Sequence, residues 1–261
     1  MDFRGHFVFL LVAAVTFSNL IEAITVRDLE NEASVSKSFT YALKTVDKMF
    51  KDLPAACQKY LSVIDEAEMT MIIAYTTGFH DDLNAYVRGD RNRGSFPKAK
   101  EALSKALKKL GDHQRENGMS WDKLYRAENS TDVLGSYRNS ESTGKEGKLV
   151  QFTSTSTQKQ VAEKWQIDFE KDYLTTFLSP SSGAYLEDCT TSPGQYEVLL
   201  PFDTPYKVAK GDVQKESATL DLDVRLFKKK FCENGCLIEL SMILAKCLAS
   251  WHLQGILWSY T

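Results

Sequence analysis

Apolar residues recur at helical spacing through the first half of the chain. Between Glu66 and Arg88 they follow a helical period, and Gly78 is placed to break it. Pro97 opens a second amphipathic stretch that we expect to end at Gly111. Its lysines fall mostly outside the apolar stripe, so we interpret them as a solvated face. The pattern predicts a helical region over residues 35–110.

Short β-prone pieces, bounded by Gly, Ser, Asn and Pro, replace the helical pattern after Trp121. A helix over Gln158–Phe169 interrupts them. Helices first and strands later predict an α+β domain whose mostly antiparallel core carries the site. We expect a single domain over residues 24–261, with a helical part at 35–115 and a β core at 120–230. The predicted strands are Lys123–Arg126, Leu149–Thr155, Gly183–Leu186, Tyr196–Pro201, Tyr206–Val208 and Thr219–Phe227.

The first 23 residues have the layout of a secretory signal peptide. Arg4 supplies a short basic region, an apolar run extends from Phe7 to Phe17, and Ala23 is a suitable cleavage position. The run is too short for a spanning helix, and a buried first strand is the less favoured alternative. We therefore expect a secreted, extracellular or lumenal protein whose mature chain begins near Ile24.

No later segment has the roughly 20 apolar residues of a membrane-spanning helix. Residues 237–261 are apolar overall, but Glu239, Lys246 and His252 interrupt them. They make a poor lipid-anchor signal, and we expect a final strand or helix instead.

Composition adds two constraints. A net charge of −3 argues against a general nucleic-acid footprint, which is usually basic. The five cysteines suit an oxidising compartment, while their spacing and the scattered histidines predict no metal site. An odd number leaves one thiol unpaired after two bridges, and the sequence does not give the connectivity. We expect a bridge from Cys57 to Cys232 or Cys236, which would join the two halves of the chain.

Four short segments carry the candidate chemistry: Leu124–Ala127, Phe152–Ser156, Gly183–Leu186 and Gln195–Phe202. Each alone has an ordinary structural explanation, namely a surface arginine, an edge strand or a buried strand. Their order and spacing together resemble the R-S-E triad of the cholera-toxin-like mono-ADP-ribosyltransferases.

The resemblance covers about residues 45–210 and is nearest to the animal arginine-specific ecto-enzymes. Matching segments flank the triad at Ala74–Thr76, Leu83–Arg88, Val161-Ala162 and Pro201–Val208. It implies a helical part packed on a mostly antiparallel two-sheet core of the ADP-ribosyltransferase type. It also implies a monomeric enzyme that uses NAD as its co-substrate, without a metal.

The resemblance assigns roles to the triad. Arg126 would bind the NAD pyrophosphate, since a guanidinium is always charged and binds phosphates bidentately. Glu197 would stabilise the ribosyl cation and hold a ribose hydroxyl, and Ser154 would position Glu197 by hydrogen bonding. Ala127 stands where the family often has glycine and the backbone approaches the cofactor.

Gln195 is the informative departure from the family pattern. Arginine-modifying members carry a glutamate at this place, two residues before the catalytic one, and the turn Ser192–Gly194 also lacks the family's frequent aromatic. We expect Gln195 to point the same way as Glu197, as alternate strand residues do. A protein acceptor side chain, arginine by family or asparagine or glutamine by Gln195, is favoured over a guanine base. NAD hydrolysis as a side reaction and a catalytically weak NAD-binding module remain alternatives.

Overall fold

The computed structural model describes residues 23–222, which form two compact units. Of these residues, the first unit contains 23–106 together with 189–191, and the second contains 107–188 and 192–222. Residues 1–22 of the expected signal peptide, the end of the last predicted strand and the C-terminal segment lie outside the described residues. No helix within residues 23–222 is long and apolar enough to cross a membrane.

The first unit is helical. Short polar side chains cap its helices: Thr25 and Asp65 form capping boxes with Asp28 and Glu68. Phe39, Phe79 and Phe96 pack against one another in its core. Its helices are α1 (Val26–Ala33), α2 (Lys37–Lys51), α3 (Ala55–Gln58), α4 (Glu66–Ala74) and α5 (His80–Val87), followed by α6 (Pro97–Glu116), which ends in the second unit.

Two glycines behave differently in these helices. Gly78, with φ of 107°, separates α4 from α5 within a π-helical turn, so the predicted break is confirmed. The predicted end at Gly111 is wrong, because α6 continues to Glu116. A Cβ at Gly111 would collide with the carbonyl oxygen of Gly183. Gly111 therefore permits a close backbone approach in the second unit and does not end the helix.

A disulfide joins Cys57 of α3 to Cys189, whose Cα atoms lie 5.0 Å apart. The predicted bridge from Cys57 to Cys232 or Cys236 is therefore wrong, since a sulfur atom forms one disulfide. Cys232, Cys236 and Cys247 lie outside the described residues. The disulfide closes a loop between residues 132 positions apart, so it strongly restricts the unfolded chain.

The second unit contains a six-stranded sheet in the order β5-β6-β3-β1-β4-β8. Its only parallel pair among the described strands is β4 with β8, and a two-stranded sheet pairs β2 with β7. The mixed architecture with a mostly antiparallel core is thus confirmed. The strands are β1 (Lys123–Glu128), β2 (Gly147–Lys148), β3 (Thr153–Ser156), β4 (Tyr173–Leu178), β5 (Ala184–Tyr185), β6 (Glu197–Leu200), β7 (Pro205–Tyr206) and β8 (Ser217–Asp221).

Two helices accompany these strands, α7 (Ser130–Thr143) and α8 (Lys159–Asp168). The sequence pattern predicts α8 within one residue at each end but gives no indication of α7, whose few apolar residues form no clear stripe. β4 is also absent from the predicted strands, although its buried residues Tyr173, Thr175 and Phe177 alternate with partly buried ones. Tyr173 and Phe177 belong to the hydrophobic core of this unit, so β4 is a central structural strand.

Candidate active site

Three neighbouring strands bring the predicted triad together. β3 lies between β1 and β6, so Arg126, Ser154 and Glu197 stand on adjacent strands. Nη1 of Arg126 donates a 2.6 Å hydrogen bond to the backbone oxygen of Ser154. A hydrogen bond from the Ser154 side chain lowers the pKa of Glu197, so this hydroxyl lies beside the carboxylate. A continuous set of contacts therefore connects the arginine to the glutamate through the serine.

Glu128, which is not among the residues predicted from the sequence, binds Arg126 from the other side. Its Oε1 accepts a 3.0 Å bond from Nε of Arg126, while Oε2 accepts from the hydroxyls of Tyr137 at 2.8 Å and Thr175 at 2.6 Å. The side chain of Glu128 is only 9% exposed. Within residues 23–222, Nη2 of Arg126 has no hydrogen-bond partner. The guanidinium is thus oriented while part of its fork can still receive a ligand.

Glu197 is a buried carboxyl group at the start of β6, with 5% of its surface exposed. Burial raises the pKa of Glu197, and the nearby Glu187 carboxylate acts in the same direction. The hydrogen bond from Ser154 and the charge of Arg126 lower this pKa without cancelling the effect of burial. A carboxylate in such a water-poor place interacts strongly with a positive charge that develops beside it.

Two further hydroxyls of β3 hold the backbone on both sides of Glu197. Oγ1 of Thr155 donates to the backbone oxygen of Val198 at 2.6 Å, and Oγ of Ser156 donates to that of Gln195 at 2.7 Å. Ser156 also accepts a bond from the backbone N–H of Gln158. Ser156 is not one of the residues predicted from the sequence, although it belongs to the same Ser/Thr-rich strand. Each of these side chains therefore anchors backbone next to the carboxylate.

Gln195 does not lie in β6, which begins at Glu197. Tyr196, between them, has φ of 50°, in the left-handed region that non-glycine residues seldom adopt. The expectation that Gln195 and Glu197 point the same way requires both residues to lie in one strand. Gln195 lies before β6, so that reason is wrong. Gln195 belongs to a turn and is partly buried, while the Tyr196 ring is exposed.

Glu187 secures this turn. One of its carboxylate oxygens accepts a bond from the N–H of Gly194, and the other accepts from the N–H of Tyr196 at 2.6 Å. Glu187 begins a short 3₁₀ turn that ends at Cys189. No motif pointed to this residue, because its role depends on the conformation of the turn.

Ala127 lies in β1 opposite Leu174, and its methyl group is buried. Its proposed role, a close backbone approach to the cofactor, remains a prediction. Among residues 23–222, no cluster of three histidine, cysteine or carboxylate side chains is arranged to hold a metal ion.

The family model for NAD:arginine ADP-ribosyltransferases matches residues 18–230. The chain belongs to this family. Its structure is similar to that of the eukaryotic mono-ADP-ribosyltransferase ART2.2, with 21% identity, a TM-score of 0.53, and coverage of 74% of this chain and 81% of that one. A variant of ART2.2 solved with NADH gives 20% identity, a TM-score of 0.54, and coverage of 75% and 81%.

The bacterial enzyme HopU1 of Pseudomonas syringae pv. tomato DC3000 is also similar, with 17% identity and a TM-score of 0.50. The alignment covers 78% of this chain and 89% of HopU1. At these identities the solved structures show a shared ADP-ribosyltransferase fold. No curated protein sequence gives a significant match. The family match supports mono-ADP-ribosyltransferase activity, as the R-S-E resemblance implied.

Proposed function

We propose that this protein cleaves NAD and transfers a single ADP-ribose to a protein side chain, releasing nicotinamide. The set of contacts from Arg126 through Ser154 to the buried Glu197 carries the proposal. It joins a cation suited to a pyrophosphate with a carboxylate suited to a ribosyl cation, and both belong to one sheet.

Arg126 binds the pyrophosphate of NAD in this proposal. Its Nε and one N–H of Nη1 are engaged with Glu128 and Ser154, which fixes the plane of the guanidinium. The remaining N–H groups can meet phosphate oxygens in the paired geometry that a planar fork allows. The buried Ala127 leaves the backbone beside Arg126 with a small side chain, which suits a close approach of the cofactor.

Glu197 acts on the bond between nicotinamide and ribose. When this bond breaks, its electron pair goes to the nicotinamide nitrogen and positive charge develops on the ribose ring, as in glycoside cleavage. A carboxylate fixed beside the ring stabilises that charge more than it stabilises bound NAD, which lowers the barrier. Ser154 holds the carboxylate in place through its hydroxyl. The acceptor nitrogen then forms a bond to the ribosyl carbon, and the proton that it loses passes to water.

Two acceptor classes have separate support. The matched family is described as arginine-specific, which favours a guanidinium acceptor. Gln195 favours a neutral amide, because an uncharged side chain cannot form an ion pair with a guanidinium or take its proton. Water as the acceptor would give NAD hydrolysis as a side reaction.

The proposed location is extracellular or lumenal. The N-terminal pattern of residues 1–23 predicts a signal peptide, and the disulfide between Cys57 and Cys189 suits an oxidising compartment. N-terminal sequencing of the protein secreted from expressing cells tests this. We expect a first residue near Ile24, whereas an intact Met1 in a cytosolic fraction would contradict the location.

The experiment for the activity uses the full secreted chain with NAD that carries a tag on its adenine. Nicotinamide release is followed together with transfer of the tag to a protein mixture. Both signals are expected, and the absence of both from folded, NAD-binding protein would contradict the proposed function and favour a binding module.

A further inference from the structure

The segment between Cys189 and Glu197 returns the chain from the disulfide to the catalytic strand. Its last part, Gly194–Tyr196, forms the turn that precedes Glu197 directly and contains Gln195. Glu187 binds two backbone N–H groups of this turn, one on each side of Gln195. A single carboxylate therefore bridges the residues that flank the candidate acceptor-recognition position.

The backbone oxygens of the same turn are also occupied. Ser156 donates to the oxygen of Gln195 at 2.7 Å, and the N–H of Thr157 donates to that of Tyr196 at 3.1 Å. These two bonds come from β3 and the residue after it, whereas Glu187 lies two residues beyond the end of β5. The turn is thus held by residues in or just after β3 and β5, the two strands that neighbour β6.

Tyr196 has an unfavourable backbone conformation in this turn. Its φ of 50° is unfavourable for a residue with a Cβ, and such conformations persist only where the surroundings impose them. The bond from the N–H of Tyr196 to Glu187 fixes the peptide plane before Tyr196, and the bond from the N–H of Thr157 to the Tyr196 oxygen fixes the plane after it, so the two together hold this φ. Without them, an extended Tyr196 would change the course of the chain immediately before Glu197.

We propose that Glu187 is a positioning residue for the active site. Its carboxylate holds the turn Gly194–Tyr196 in the conformation that positions Gln195 and places Glu197 beside Ser154. The effect on catalysis rests on the proposed function, whereas the tether itself does not. Glu187 touches no reacting atom in this scheme and acts through the backbone of the turn.

The test compares Glu187→Ala and Glu187→Gln with a matched control. Glu187→Ala removes both hydrogen bonds, while Glu187→Gln keeps one acceptor and turns an N–H donor toward the other backbone N–H. Glu141 supplies the control, since its carboxylate accepts from the N–H groups of Gly211 at 2.7 Å and Val213 at 3.3 Å in another loop. Glu141→Ala therefore removes a similar tether without affecting the turn before Glu197.

The kinetic readout is steady-state nicotinamide release. We expect Glu187→Ala to lower kcat about tenfold or more, because small misplacements of catalytic groups are costly, with KM for NAD changed less than about threefold. Glu187→Gln should fall between it and the wild type, and Glu141→Ala should keep the wild-type kcat. If Glu187→Ala keeps the wild-type kcat, or loses no more than Glu141→Ala, the positioning role is wrong.

Hydrogen exchange of the backbone amides gives a readout that needs no activity. The amides of Gly194 and Tyr196 should exchange at least about fivefold faster in Glu187→Ala and at the wild-type rate in Glu141→Ala. Unchanged exchange in Glu187→Ala would show that Glu187 does not hold the turn. If the wild type releases no nicotinamide while the amides of Glu187→Ala still exchange faster than those of the wild type, the proposed function is contradicted. The role of Glu187 in holding the turn is then still supported.

Discussion

Nε of Arg126 donates a 3.0 Å hydrogen bond to Oε1 of Glu128, two positions further along the same strand. Alternate residues of a strand share a face, so the pair is local in sequence and also in space. Glu128 is itself held by Tyr137 and Thr175. The orientation of the arginine that we assign to NAD therefore depends on a carboxylate that has no place in the R-S-E motif.

Removing this support should weaken NAD binding. We expect Glu128→Ala to raise the Kd for NAD about tenfold, equivalent to about 1.4 kcal/mol, because the guanidinium loses its fixed plane. Glu128→Gln, which can still accept from Nε, should change Kd less. Thr175→Val is the control, since it removes one donor to Glu128 and leaves the bond to Arg126. Calorimetric titration of folded variants measures this, and equal affinity in Glu128→Ala and the wild type would contradict it.

The acceptor prediction concerns Gln195. A glutamate there would supply a charge that can pair with a guanidinium and accept its proton. We expect weak transfer from the wild type to the arginine mimic agmatine, and at least about tenfold more from Gln195→Glu, with little change in NAD affinity. Gln195→Ala serves as the uncharged control and should not raise transfer. Efficient agmatine modification by the wild type, with no gain in Gln195→Glu, would support arginine as the natural acceptor.

The pH dependence of the reaction follows from the setting of Glu197. Burial raises the pKa of Glu197, so the carboxylate form that the mechanism needs is lost at a higher pH than for an exposed glutamate. Activity should therefore fall as the pH decreases through this raised pKa. Ser154→Ala removes a hydrogen bond that lowers the pKa of Glu197, so the acid limb of kcat/KM should move to higher pH. An acid limb that stays in place in Ser154→Ala would disconnect Ser154 from the ionisation of Glu197.

The sequence was informative where chemistry restricts residue type. An arginine for a pyrophosphate and a carboxylate for a cation can be found by motif, and the strand order then brings Arg126, Ser154 and Glu197 onto adjacent strands. The roles of Glu128 and Glu187 depend on strand register and turn conformation, which no spacing in the chain reveals. The pairing of Cys57 with Cys189 likewise depends on the tertiary fold.

In the secondary structure, too, some features follow from the local sequence and others depend on the tertiary fold. The helical period predicted α4, α5 and α6, and Gly78 marked a real break. The predicted helix end at Gly111 is wrong because this glycine allows a close backbone approach to Gly183, which is distant in sequence. The left-handed φ of Tyr196 was equally hidden, since a tyrosine gives no local indication of it. These features are imposed by contacts and not by local preference.

The most direct measurement is nicotinamide release by Glu197→Gln beside NAD binding by the same variant. The substitution keeps the size of the side chain and removes the negative charge that we assign to stabilising the ribosyl cation. We expect kcat to fall about 100-fold or more, as it does when one preorganised electrostatic group is lost, with NAD affinity within about threefold of the wild type. Wild-type turnover in Glu197→Gln would remove this residue from the mechanism and contradict the proposed active site.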